Sequence, residues 1–169
     1  MTVFFCSKCG STLTPDLTAL SSVPIVPDLD SAQPKGARQA SPTVPRGSFA
    51  IEREPWGAPF VRQEDQDNPA PAFPRGPLMA TEDGFVISAG PRNTVVVHPD
   101  DVPDLLPLPQ WENSTGCCGP NGTEGPNRAC PCGARIATLA ADCFGPYEVH
   151  LDPVRTYPFE REGRNHASE

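Results

Sequence analysis

Residues 116–143 read GCCGPNGTEGPNRACPCGARIATLAADC and carry Cys117, Cys118, Cys130, Cys132 and Cys143, out of seven cysteines in the chain. Cys6 and Cys9 complete the set and lie in FFCSKCGS, residues 4–11. Two intervening residues let the Cys6–Cys9 turn place both sulfurs on one side, with backbone N–H groups facing them. Gly10 supplies the positive φ that such a turn asks for. Cys130-Pro131-Cys132-Gly133 is a second short-spaced pair. On an extended strand, residues i and i+2 share a face but hold their sulfurs too far apart for one ion. Pro131 and Gly133 permit a tighter turn that converges them. Cys117 and Cys118 are adjacent, so a strand would point them to opposite faces. Gly116, Gly119 and Pro120 allow a kink that brings one or both to a single metal; a vicinal disulfide is the strained alternative.

The CxxCG of residues 6–10 resembles the knuckle of zinc ribbons and rubredoxin-like sites. The CxCG of residues 130–133 resembles a ribbon's second knuckle with one residue fewer between the cysteines. The resemblance covers residues 3–14 and 127–136. It implies a Zn2+ site of four thiolates and a small β-rich, zinc-stabilised, zinc-ribbon-like domain. A thioredoxin-type redox pair would instead open a helix after a βαβ pattern, and no helical pattern follows Cys9.

Two ligand arrangements compete. In the first, Cys6 and Cys9 pair with Cys130 and Cys132, leaving Cys117, Cys118 and Cys143 to hold a second zinc with His98 or His150. In the second, Cys118, Cys130, Cys132 and Cys143 form their own site, and Cys6 and Cys9 borrow one or two ligands. The first is preferred because it closes a long loop onto the N-terminal knuckle. Zinc is preferred to iron as the commoner structural ion in thiolate knuckles.

Composition frames this reading. The chain has 169 residues with 23 Pro and 14 Gly, and only 37% are hydrophobic. An apolar core of that size calls for a staple such as a metal. The formal charge is -8, and a four-thiolate zinc makes it more negative, which opposes binding to phosphate backbones. MTVFFCSKCG has no basic n-region and no long apolar run, and no stretch approaches the ~18 apolar residues of a membrane span. The expectation is a cytoplasmic protein, where reduced thiols favour metal over disulfides.

Read in order, the chain divides into an N-terminal zinc knuckle at 1–14, a Pro-rich linker at 15–47, a β-rich segment at 48–157 and a charged, frayed tail at 158–169. The knuckle reads as a hairpin, with Val3 to Phe5 returning through Ser11 to Thr14. Phe49 and Ile51 alternate with Ala50 and Glu52 as a strand, and Trp56 and Phe60 read as anchors onto the core. GFVIS and TVVVH, either side of AGPRN, read as a β-hairpin over 84–98. Asp100 and Asp101 read as a cap on one helical turn. Trp111 leads into the cysteine-rich stretch. Tyr147, Val149 and Leu151 alternate with Glu148, His150 and Asp152, the pattern of a half-buried strand. His166, in the tail, is not read as a ligand. The expected fold is therefore β-rich with long Pro-rich irregular loops and few or no helices.

The function expected is a structural zinc-binding protein acting as an interaction or adaptor module for a protein partner. A closed four-thiolate site folds a chain rather than catalysing. One alternative is a thiol or zinc enzyme using Cys117, Cys118 and Cys143, with Asp142 as a nearby base. Another is a nucleic-acid-binding zinc ribbon, disfavoured by the charge. No phosphate-loop, nucleophile-elbow or HExxH motif is present.

Overall fold

A computed structural model describes residues 1–25, 38–110 and 115–162. Trp111, His166 and parts of the linker and tail lie outside the described residues. The β-branched and aromatic runs become strands. In chain order these are β1 (Thr2–Cys6), β2 (Thr18–Ala19), β3 (Ser48–Glu52), β4 (Phe60–Arg62), β5 (Ala80–Thr81), β6 (Gly84–Ser88) and β7 (Thr94–Val97). After a 3-10 turn (Pro99–Asp101) come β8 (Leu106–Pro107), β9 (Arg128–Ala129), β10 (Arg135–Ala140), β11 (Glu148–Leu151) and β12 (Thr156–Glu160). Among the described residues the 3-10 turn is the only helical element. No helix there is long and apolar enough to cross a membrane.

The strands form a seven-stranded sheet ordered β2-β3-β7-β11-β10-β9-β8, a three-stranded sheet β4-β6-β5 and a two-stranded pair β1-β12. In the large sheet, Phe49 sits opposite Val97 and Val97 opposite Val149, and Val95 opposite Leu151. This face joins Phe4, Leu17, Ile136, Cys6 and Cys130 in the main apolar cluster. The opposite face carries Ala50, Glu52, Thr94, Val96, Glu148 and His150. Trp56 and Phe73 pack over its far end with Ala140. Covered on both faces, β11 has no exposed residue.

Several sequence expectations change here. GFVIS and TVVVH are strands, but they do not pair as a hairpin. β6 joins β4 and β5, whereas β7 joins β3 and β11. The chain leaves one sheet for the other at Gly90, packed against the backbone of residues 56–58. A Cβ there would stand 2.4 Å from the Trp56 carbonyl oxygen and 2.7 Å from that of Gly57. The knuckle is not a simple hairpin either. Its return segment makes only bridges (Phe5 with Thr12, Thr2 with Leu17), and the full partner of β1 is β12.

Residues 158–160, expected in a frayed tail, close β12. Pro158 is tolerated because it pairs with Phe4 at a position without ladder hydrogen bonds. The Phe4 N–H donates to Thr14 Oγ1, and its carbonyl accepts from Leu13. The missing donor of Pro158 therefore faces the outer edge, where proline is admitted. In the described part of the 15–47 stretch, β2 pairs with β3 and Leu17 and Val44 are fully buried, while Ile25 is exposed. On β3, Ile51 is exposed and Glu52 buried, because Glu52 has a cationic partner described below.

Gly90→Ala should destabilise the protein by about 2 kcal/mol, because its methyl group meets backbone that cannot swing aside. The urea unfolding midpoint checks this; an unchanged midpoint would mean the crossover is looser than it looks.

Candidate metal centres

Both cysteine turns take the tight form their glycines allow. In the first, Gly10 has φ 72° and donates its N–H to the Cys6 carbonyl. In the second, Gly133 has φ 86° and donates to the Cys130 carbonyl, while the Cys130 N–H donates to the Ala134 carbonyl. No Cβ contact excludes a side chain at either glycine, so the backbone angle is what selects it. The Ser7 N–H ties the first turn to the Arg155 carbonyl. Lys8 Nζ reaches across to the Cys132 carbonyl at 3.2 Å.

These turns face each other. Cys6 Sγ lies 3.8 Å from Cys132 Sγ, and Cys9 Sγ lies 3.6 Å from Cys130 Sγ. All four sulfurs fall within 4.8 Å of one another, a group that can hold a metal ion. Four sulfurs at about 2.3 Å from a tetrahedral ion would stand about 3.8 Å apart. Cys6 and Cys130 are buried in the main apolar cluster, while Cys9 is exposed. The sulfurs differ electrostatically as a result. The Ser11 hydroxyl and then its backbone N–H lower the Cys9 pKa to about 6. Burial pushes Cys130 up to about 12. A bound cation is the ordinary means by which such a thiol ionises.

Cys117, Cys118, Cys143 and Asp142 form a separate group whose ligand atoms also lie within 4.8 Å of one another. Cys117 Sγ is 3.6 Å from Cys118 Sγ, 3.0 Å from Cys143 Sγ and 3.6 Å from Asp142 Oδ1. The two groups flank opposite ends of β10, a strand of six residues that spans roughly 20 Å. Cys118 and Cys143 therefore do not share an ion with Cys130 and Cys132, and the second sequence arrangement does not form.

Neither histidine completes the second group. His98 is buried and accepts the Asp100 N–H at Nδ1, capping the 3-10 turn. The capping role expected of Asp100 and Asp101 thus falls to His98. Asp101 is instead buried, accepting the Gly47 N–H at 2.7 Å and facing Arg46 Nε at 3.3 Å. His150 belongs to a polar network on the inner face of the large sheet. Its Nε2–H donates to Glu148 Oε1 at 2.7 Å, and the Thr94 hydroxyl donates to its Nδ1 at 2.7 Å. The Trp56 indole stacks on the His150 ring at 3.7 Å. Arg75 donates two bonds to Glu148, at 3.0 and 2.9 Å, and one to Glu52 at 2.7 Å.

The sequence reading missed this network, since alternation along β11 assigns Glu148 and His150 to solvent. A possible signal was a carboxylate and a histidine at i and i+2, on one face of a strand whose neighbours are strongly apolar.

No protein-family model matches the chain, and no curated protein or solved structure matches it significantly.

The buried network sets an acid response. Burial by itself would raise the Glu148 pKa; the bonds from His150 and Arg75 outweigh it and hold the carboxyl at about 2. That stabilisation is complete above the ordinary value of 4.5 and is lost as pH falls towards about 2. Burial lowers the His150 pKa from 6.5, so below that pH the unfolded chain takes up a proton more readily than the fold. Both groups therefore make stability fall with acid. Glu148→Gln should cost about 3 kcal/mol near neutrality by leaving Arg75 under-compensated. It should also flatten the pH dependence of urea stability below 4.5; an unchanged profile would assign the acid response elsewhere.

Proposed function

We propose that this chain is a structural zinc-binding protein, and that its zinc-assembled body serves as an interaction or adaptor module for a protein partner. Cys6, Cys9, Cys130 and Cys132 are the ligands of the structural ion. The observation that carries this reading is the pair of Sγ separations, 3.8 and 3.6 Å, across turns that are 126 and 121 residues apart in sequence. They agree with the edge of a tetrahedral zinc–thiolate site, about 3.8 Å. Four protein ligands leave no open coordination position, which favours a folding role over catalysis.

Energetics support the same assignment. Closing a loop of 121 residues costs about 4 kcal/mol beyond a constant term. Structural zinc contributes about 10–16 kcal/mol in zinc-finger peptides at neutral pH, enough to offset it. The interaction role draws support from the exposed side of β12. There Tyr157 and Phe159 are exposed and pack against the Phe5 ring, with centroids 5.5 and 6.4 Å away. Exposed aromatic clusters of this kind suit protein contacts better than solvent.

Cys9→Ser should remove one equivalent of zinc, read by native mass spectrometry with metal analysis under reducing conditions. It should also lower amide protection across residues 128–151. Unchanged zinc content and unchanged protection would defeat the shared-site reading.

The charge of -8 also opposes nucleic-acid partners. Duplex DNA or RNA should bind more weakly than about 1 μM at physiological salt, since non-specific binding alone lies at about 10⁻⁴–10⁻⁶ M. Fluorescence anisotropy across a salt series tests this, and a tight, salt-dependent complex would contradict it.

A further inference from the structure

The group at the far end of β10 has a chemistry of its own. Cys117, Cys118 and Cys143 supply three sulfurs, and Asp142, close to fully buried, supplies a carboxylate. A lone surface cysteine or a cluster of acids would signify little. Here the loop is shaped around the carboxylate. Asp142 Oδ1 accepts the Cys118 N–H at 3.0 Å, which fixes it 3.6 Å from Cys117 Sγ. Ligand distances of about 2.3 Å to sulfur and about 2.0 Å to oxygen give an S···O edge of about 3.5 Å in a tetrahedron.

Two glycines make this placement possible. Gly116 has φ 110°, and a Cβ on it would fall 2.1 Å from the Gly119 carbonyl oxygen and 3.0 Å from Asp142 Cγ. A Cβ on Gly119 would fall 2.8 Å from the Ala141 carbonyl oxygen. The Ala141 N–H donates back to the Pro120 carbonyl. Residues 116–120 are thus pressed against the end of β10 as closely as backbone allows, which brings Cys117 and Cys118 to Cys143.

We propose that Cys117, Cys118, Cys143 and Asp142 form a second metal site, for a thiophilic divalent cation such as zinc, held by three thiolates and one carboxylate oxygen. The site is independent of the four-thiolate group, since the length of β10 separates them. It also exchanges its ion more readily. The first group has Cys6 and Cys130 buried in the apolar core, whereas Cys117 is exposed and Cys118 and Cys143 are partly so. A chelator can approach this face directly, and a carboxylate, a harder donor, holds zinc less tightly than a fourth thiolate. Cys117 and Cys143, 3.0 Å apart, must separate slightly to admit the ion.

The test is an anaerobic cobalt(II) titration of the reduced full-length protein, with metal-dependent alkylation of each cysteine mapped by mass spectrometry. Two equivalents are expected, the second with weaker thiolate-to-cobalt charge-transfer absorption because it has three sulfurs. A chromophoric chelator should remove the second equivalent at least tenfold faster than the first. Asp142→Ala should weaken the second equivalent at least tenfold. Cys117→Ser with Cys143→Ser should abolish it while the spectrum of the first equivalent persists, which also reports that the fold survives. If the double variant does not fold, protection of Cys117, Cys118 and Cys143 from alkylation by metal in the unsubstituted protein decides. A single equivalent, with these three cysteines alkylated equally fast with and without metal, would overturn the site. Loss of the first equivalent in Cys9→Ser bears on the structural zinc alone, so the two readings fail separately.

Discussion

Four sulfurs from two turns, 121 to 126 residues apart, occupy a space less than 5 Å across. Two of them lie inside the apolar core. Burial pushes the pKa of one of them, Cys130, up to about 12. A cation at their centre reverses that penalty. Under the zinc reading, the ion does more than fill a gap in a finished fold. It joins the β1 turn to the turn ahead of β10, and so couples the β1-β12 pair to the large sheet. By comparison the hydrogen bonds at the first turn are weak: Lys8 reaches the second turn at the Cys132 carbonyl, and Ser7 ties to Arg155 ahead of β12.

The second constraint is polar and lies on the other face of the sheet. Arg75 is sandwiched between Glu52 of β3 and Glu148 of β11. A buried ion group of this kind adds little net stability over an apolar replacement, yet it is costly to break. Its geometric demands are strict: Glu148 accepts from both Arg75 and His150, and His150 is held between Glu148 and Thr94. Arg75 comes from a loop, Glu52 from β3, Thr94 from β7, and Glu148 and His150 from β11. The network therefore specifies which strands are neighbours, in a sheet whose apolar face of Val and Leu would pair almost indifferently. Trp56, stacked on His150, carries the same specification to the layer above.

The two cysteine groups divide the chemistry. One is half within the core and offers only sulfur donors. The other is on the surface, mixes sulfur with a carboxylate, and is shaped by glycines at 116 and 119. The fold separates them by placing them at opposite ends of one strand. Under the two proposals, an ion in the first would stabilise the whole body, and an ion in the second would stay accessible to solution. That contrast follows from burial and donor type.

Local chemistry was legible from sequence. The short-spaced cysteines, the glycines that shape their turns and the β-rich character depend on neighbours a few residues away. The grouping of Cys6 and Cys9 with Cys130 and Cys132 was favoured by loop closure, but spacing alone left a rival arrangement open. Only the tertiary structure placed β10 between the two cysteine groups, and so separated Cys118 and Cys143 from Cys130 and Cys132. It also sent β6 and β7 to different sheets. Their flanking turn looks like a hairpin locally, and the backbone of residues 56–58 that intervenes is remote in sequence. Burial of Glu148 and His150 was equally invisible along the strand, because the alternation reports polarity and not partners. The cation that makes Glu148 an interior residue is Arg75, 73 residues away. Residue types fix what each side chain can do; contacts across the folded chain decide which of them meet.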